Sequence, residues 1–299
     1  MRQQKKDIFH QMFRFFISFW NRLAPILPDE LFLKVVFRYR VGYWPNLKKP
    51  QTFNEKLQWL KLHDRHQEYT KMVDKIEAKK YVVAIVGDKY IIPTIGFWNS
   101  VDEVDWASLP NQFVMKVTSD SGGIVVCKDK SKLDIERAKE KLKKGWGKNY
   151  YHFNKEYPYK NVRPRIIAEQ YMEDESGYEL KDYKFFCFDG EPKLLFVATG
   201  RQLHDTRFDF YDMDYNHLPF LNGHPNADVW PVKPNNFDEM VELARKLSKG
   251  KRHVRVDLYN INGKIYFGEL TFFHWSGMKP FEPLEWDYKL GEMINIPLH

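Results

Sequence analysis

The sequence predicts an α+β protein with a helical N-terminal region. Three observations predict it. Apolar residues recur at helical spacing through residues 1–66. Later, β-rich runs come in pairs joined by short turn signals, at 113–128, 165–197 and 254–271. Helical stretches at 74–87, 131–145 and 237–249 stand between them, so helices and hairpins share one body. The division that follows is 1–70 as the helical region, 71–168 as a first α+β lobe and 169–299 as a second.

Phe9, Met12, Phe13, Phe16 and Trp20 share a helical stripe among Arg2, Lys5, Lys6, Arg14 and Arg22. The plainer reading is a helix packed on the body; the sharper one is a basic amphipathic helix on a membrane surface. Pro28, Asp29 and Glu30 start a second helix, with the ring and acids where a helix N-terminus favours them. In 52–64, Phe53, Leu57 and Leu60 form a stripe, and Thr52 with Glu55 three residues on makes a capping box. Residues 74–94 are expected as a helix ending near Gly87 and passing into a strand toward Pro93.

Two strands at 113–128 flank the small-residue loop Thr118 to Gly123. Unobstructed backbone N–H groups let such a loop close on phosphate, and Lys116 just before it can reach an anion held there. The plainer alternative is an ordinary turn. A charged helix follows at 131–145, then an aromatic, irregular stretch at 146–164, longer than packing needs. Its tyrosines and lysines suit a stacking platform for nucleic acid or sugar, or a contact with an acceptor, or simply cover for the core. Residues 165–172 read as a buried strand ending in Glu169, Gln170, Tyr171 and Met172. A strand at 179–188 turns at Asp189-Gly190 into 192–197, and 201–236 reads as loop. A helix at 237–249, stopped by Gly250, leads into the last hairpin.

That hairpin, 254–271, carries Arg255, Asp257, Glu269 and Thr271. Its turn decides their faces. A two-residue turn at Asn262-Gly263 pairs Ile261 with Lys264 and puts Asp257 and Glu269 on opposite faces. A three-residue loop with Gly263 as a bulge pairs Asn260 with Lys264 and brings all four to one face. Two carboxylates beside an arginine on one face suit Mg²⁺ carrying a polyphosphate. The competing reading is a solvated face with Arg255 paired to Glu269.

With 299 residues, 43% hydrophobic and 29% charged, the chain is long and apolar enough for a folded core and is not a disordered sequence. A net charge of +7 favours anionic partners. Cys127 and Cys187 fall inside strands without metal-ligand spacing, which fits a reducing compartment. The run 12–20 contains Arg14 and is too short to span a bilayer. A cytoplasmic protein is expected, with peripheral contact with the inner membrane through the first helix as the sharper version.

The ordered set DKIEAK, Lys116 with its loop, EQYM, GYEL, DYK, RVD and ELT resembles the ATP-grasp superfamily. The pieces TFNEKLQWLKLHDR, YIIPTIGFW, DYKFFCFDGEP and VDLYNINGKIYFGELTFF are similar to its TupA-like branch, over about 52–285. That branch occurs in capsule, teichuronopeptide and exopolysaccharide gene clusters and also carries the label glycosyltransferase. The resemblance implies an ATP-grasp fold, two α+β lobes clasping ATP, and an ADP-forming carboxylate–amine ligase. It implies that Lys79 and Lys116 contact ATP and that Ser121, Gly122 and Gly123 lie in the phosphate loop. Glu169, Gln170, Tyr171 and Met172 would surround adenine, and Glu179 would bind the ribose. Lys184, Lys116 and Arg255 would offset phosphate charge, and Asp257, Glu269 and Thr271 would hold Mg²⁺. Thr271 stands where many ATP-grasp chains have Asn, and Thr118-Ser119-Asp120 where this branch usually has Asn-His-Gly.

The implied partners are an acidic glycan or glycan precursor and an amino acid or amino sugar, and no nucleic acid. Residues in 146–163, with His204, Arg207, His217 and His274, are candidates for the acceptor. One rival is a metal-dependent glycosyltransferase using Asp212 and Asp214, which form an Asp-x-Asp. Another is a non-catalytic glycan- or membrane-binding protein with a decayed nucleotide site.

Overall fold

A computed structural model describes residues 23–120, 122–177 and 179–297. The basic amphipathic helix expected around 9–20 and the loop residue Ser121 lie outside the described residues. Among the described residues no helix is long and apolar enough to cross a membrane.

Two antiparallel sheets organise the chain. The smaller has strand order β1-β4-β2-β3, with β1 at Thr94–Trp98, β2 at Phe113–Val117, β3 at Ile124–Cys127 and β4 at Ile166–Gln170. The larger runs β7-β6-β5-β8-β9, with β5 at Asp182–Phe188, β6 at Glu191–Thr199, β7 at Arg207–Asp212, β8 at His253–Ile261 and β9 at Lys264–Thr271. Cys127 and Cys187 are buried and free.

Some boundaries differ from the sequence reading. The strand expected to run toward Pro93 instead begins after it, at Thr94, because a 3₁₀ turn at Asp88–Tyr90 intervenes. The irregular stretch 146–164 contains a short helix, Tyr150–Asn154, capped by the Asn149 side chain. The loop-rich 201–236 hides β7, whose Phe208 and Phe210 are buried.

In the small sheet, Phe113, Met115, Val117, Ile166 and Ala168 pack against Ala138 and Leu142 of a helix at Ile135–Trp146. Alternation then sends Val114, Lys116, Ile124, Val126 and Glu169 to the opposite face. In the large sheet, Phe185, Leu195, Val254 and Val256 pack with Phe237, Met240, Leu243 and Leu247 of a helix at Phe237–Ser248. The opposite face changes character along its strands. At one end Phe186, Phe188 and His253 surround Phe53. Two residues on, the same face carries Lys184, Arg255 and Asp257.

Of the helices before the sheets, α1 spans Asp29–Val41 and α2 Phe53–His63. The Thr52–Glu55 capping box is present in both directions. Besides its apolar stripe, α2 buries a polar one, Asn54, Gln58 and Lys61, at helical spacing. Gln58 donates to the carbonyls of Ser276 and Gly277, and Lys61 donates to Ser276 O and Oγ. These bonds pin a turn at 275–277 in which three successive residues have positive φ, a conformation that persists only where surroundings enforce it. Burial pushes the Lys61 ammonium down to about 7. The helix at Glu77–Val86 buries Ala78 and Val82 in the larger cluster. Asp29 ties α1 to the rest through Arg65, Tyr151 and Lys155.

Candidate active site

The β8–β9 hairpin corrects the expected register. The turn is the two-residue one: Ile261 pairs with Lys264, and Asn262 and Gly263 both have positive φ, as a type I′ turn requires. The three-residue loop is absent. That turn alone would separate Asp257 from Glu269, but the register shifts between Asp257 and Leu258. Leu258 pairs with Phe267 and Asp257 with Glu269, so Gly268 is an extra residue, a β-bulge. Beyond it Arg255 pairs with Thr271, and the four side chains share a face.

Gly268 is suited to the bulge because a Cβ there would lie 3.1 Å from Asp257 O and 3.2 Å from the Tyr259 ring. Gly268→Ala is expected to destabilise the protein by about 1–3 kcal/mol through overpacking. It should lower turnover further by moving Glu269. Urea midpoints and ATP-dependent rates of the variant check this; unchanged values would mean the bulge tolerates a side chain.

Arg255 is the hub. Its Nε and one terminal nitrogen grip Asp257 at 2.7 Å each, a fork geometry that Lys lacks. The same nitrogen reaches Thr271 at 3.1 Å and Glu269 at 3.4 Å. The other donates to His274 Nδ1 at 2.6 Å. That assigns the His274 proton to Nε2, which donates to Asn222 Oδ1 at 2.8 Å. Asn222 is oriented in turn by the carbonyls of Lys279 and Pro280. Burial and Arg255 depress His274 well below its usual value, so the ring stays neutral and holds the guanidinium from behind. Burial opposes the charge on Arg255, but Asp257 and Glu269 raise its pKa.

Lys184 donates to the second oxygen of Asp257 and lies 2.8 Å from Asp182. Asp182 also receives Arg201 at 2.7 Å. Glu269 is half-exposed to the cleft. Burial raises its pKa, but Lys184, Arg255 and Lys75 outweigh that and hold it at about 2. Its carboxylate is therefore ionised and can ligate a cation. Both Asp257 oxygens already hold cations, so a divalent ion fits there only if Lys184 or Arg255 yields one. No group of three or more His, Cys, Asp or Glu among the described residues gathers as a metal set. Magnesium suits this arrangement, since it binds through one or two carboxylates with phosphate oxygens and water completing its shell.

A second cavity of about 290 Å³ lies where the exposed face of the small sheet meets the large one. Val114, Ile124 and Val126 form one wall, Gln170, Tyr171 and Met172 an edge, and Leu180 and Tyr259 the far side. Apolar walls of this kind suit a flat heterocycle. Glu169 is clamped between Lys79 and Lys116; the Lys116 contact is 2.6 Å. Burial raises the Glu169 pKa, but the two lysines more than offset it. Lys79 is fixed further by Ile92 O and Thr94 Oγ1, each at 2.8 Å. Glu179 lines the cavity too, and its carboxylate accepts from Gly200 N at 2.8 Å.

In the loop, Gly123 is buried and Gly122 exposed. Asp120 points inward beneath it: a Cβ on Gly145 would sit 2.8 Å from its Oδ2. The carboxylate is thus packed against the helix, and it is the Asp120 carbonyl that meets Lys75 Nζ, at 2.7 Å. Sequence reasoning gave no role to Lys75, Asp182, Arg201 or Asn222. Lys75 and Asp182 lie inside the motifs DKIEAK and DYK, where only Lys79 and Lys184 were given roles; Arg201 and Asn222 carry no local signal.

Another cavity, of about 500 Å³, opens beside Arg255, Glu269 and Thr271. Of the acceptor candidates, His274, Tyr150 and Tyr159 line it. His217 instead stacks on Trp230, 3.9 Å between centroids, and Arg207 pairs with Asp205. His204 lies at the end of an exposed turn. Asp212 spends its carboxylate on the backbone of Asp214 and on Asn216, a local turn that leaves the Asp-x-Asp without a metal geometry.

A family model described as TupA-like ATPgrasp matches residues 55–295. No curated protein matches significantly. Among solved structures, a D-alanine–D-alanine ligase from Bacillus anthracis in complex with ATP is 13% identical, over 75% of this chain and 68% of that one, with a TM-score of 0.40. The corresponding ligase from Helicobacter pylori is 14% identical, over 81% and 69%, at 0.42. The ATP-grasp ligase PsnB, complexed with a precursor variant, Mg and ADP, is 11% identical, over 73% of this chain and 56% of that one, at 0.39. The chain spans little more than half the length of PsnB.

Proposed function

The chain belongs to the TupA-like ATP-grasp family, and from that premise we propose that it joins a carboxylate to an amine at the expense of ATP, with Mg²⁺. The substrate we assign is a uronic acid of a bacterial surface polysaccharide, amidated by an amino acid or amino sugar. The site of action we assign is the cytoplasmic side of the inner membrane.

One observation carries the reading: Arg201 lines both cavities, so an apolar slot and a larger acceptor cavity meet beside Lys184, Arg255 and Glu269. A nucleotide with its base in the slot would direct its phosphates toward those side chains.

The chemistry explains the cations. A carboxylate oxygen of the substrate attacks the γ-phosphorus; that O–P bond forms and the bond to the bridging oxygen of ADP breaks. The amine then attacks the acyl carbon, phosphate leaves and the nitrogen loses a proton. The first step brings two anions together. Lys184 and Arg255, fixed by Asp257, and Lys116, fixed by Glu169, present charge without reorganising when the step occurs. Bound Mg²⁺ would supply further neutralisation of the phosphates. The acyl phosphate must be shielded from water, which closure of the 118–123 loop would provide.

The test is to incubate the protein with ATP, Mg²⁺, amino acids and acidic glycan fractions. Substrate-dependent release of ADP and phosphate is expected, with an amide product. Release of AMP, or nucleotide-sugar cleavage without ATP, would overturn the proposal.

A further inference from the structure

Arg40 is the unusual member of the 500 Å³ cavity. It comes from α1, upstream of the residues matched by the family model, and it lines the cavity with Tyr150, Tyr159, Phe208 and Trp275. Among the described residues it donates to a single side-chain oxygen, Asn154 Oδ1, at 3.3 Å. Among the described residues no carboxylate lies within ion-pair distance of it, although Arg65, Arg165, Arg201, Arg245 and Arg255 each have one. Burial lowers its pKa, opposed by Tyr150 and Glu156. Glu156 is nearby, but its carboxyl is turned to Ser276 and Asn154, and burial raises its pKa. A partly buried guanidinium on a cavity wall with so little compensation is under-partnered, unless an anion arrives with the substrate. The contrast with Arg255, which spends its fork on Asp257, is direct: Arg40 has donors to spare.

We infer that Arg40 binds a second carboxylate of the substrate, so that the ligase selects a diacid whose other carboxylate lies at Arg255 and Glu269. This deepens the proposed function and rests on it. The aromatic neighbours would stack on a sugar face or on the aliphatic part of a dicarboxylic amino acid, and both sources share the same recognition chemistry. Arg40 is here a specificity residue, remote from the transferred phosphoryl group.

The experiment pairs each diacid with its monoacid. Binding of a hexuronate disaccharide and a single hexuronic acid, and of L-glutamate and L-glutamine, is measured calorimetrically with and without a non-hydrolysable Mg–ATP analogue. In the wild type, one diacid should bind about tenfold tighter than its monoacid, and the responding pair identifies the source. Arg40→Gln should abolish that difference while leaving monoacid and nucleotide affinities unchanged, which a merely structural role would not do. Arg40→Lys, conserving charge without the fork, should keep part of it and serves if the glutamine variant does not fold. Equal affinity for diacid and monoacid in the wild type, or a preference that survives Arg40→Gln, overturns the inference. Failure of the nucleotide analogue to bind would sink the proposed function instead, and the diacid comparison without nucleotide would still judge Arg40.

Discussion

Glu269→Gln is expected to lower ATP-dependent turnover by about 10²–10³-fold and to leave the fold almost untouched. The two halves of that expectation have separate causes. Glu269 is half-exposed, and its contact to Arg255 is a long 3.4 Å, so little stability depends on it. Its charge faces the cleft beside Lys184, Arg255 and Lys75, which hold its pKa at about 2. The substitution keeps shape and removes a carboxylate whose hold on Arg255 is a single long contact. The sign of the pH dependence follows. A carboxyl held at about 2 stays ionised as pH falls from 7 to 5, so any stability it contributes persists there and is lost only as pH falls through about 2. Any acid limb in the rate above pH 5 must then come from another group. Initial rates of ADP release for wild type and variant between pH 5 and 8, with melting curves for both, check all of this. A variant with near wild-type rate would remove Glu269 from the machinery.

Asp257→Asn should cost both activity and stability. Both oxygens of the carboxylate are engaged, one by Lys184 and both by Arg255, and Asp257 is 1% exposed. The amide leaves two buried cations around a neutral group, and breaking a buried pair in this way costs about 3–5 kcal/mol. The urea midpoint should fall accordingly. Turnover should drop below that of Glu269→Gln, because both Arg255 and Lys184 lose their positioning. A double variant, Asp257→Asn with Lys184→Met, should be less destabilised than the sum of the single changes, since Lys184 then no longer needs its counter-ion. Simple additivity would show that Asp257 and Lys184 do not act on each other.

Much of the architecture was legible along the chain. The Thr52–Glu55 capping box and the Asn262-Gly263 turn are local signals, set by residues within a few positions of each other. The list of motif residues, Arg255, Asp257 and Glu269 among them, came from an ordered set of motifs, and it left out Arg201 and Asn222, which carry no local signal. What the list could not contain was geometry. The shared face of Asp257 and Glu269 comes from the Gly268 bulge, not from the turn, and whether a strand bulges depends on what its neighbour leaves room for. The polar stripe of α2 was visible only as an absence of apolar residues, until the 275–277 turn filled it.

The sequence by itself determined most of the strands and helices, because periodicity, capping and turn chemistry act over a few residues, and it carried the ordered motifs by which the chain resembles its fold family. Only the tertiary structure decided which charge faces which. Glu169 meets Lys79 from 90 residues upstream, Arg255 meets His274 and through it Asn222, and Arg40 reaches a cavity that Arg255 and Glu269 of the large sheet also line. Such contacts depend on how two sheets and a helix come to rest together, and that packing leaves no periodic trace in the chain.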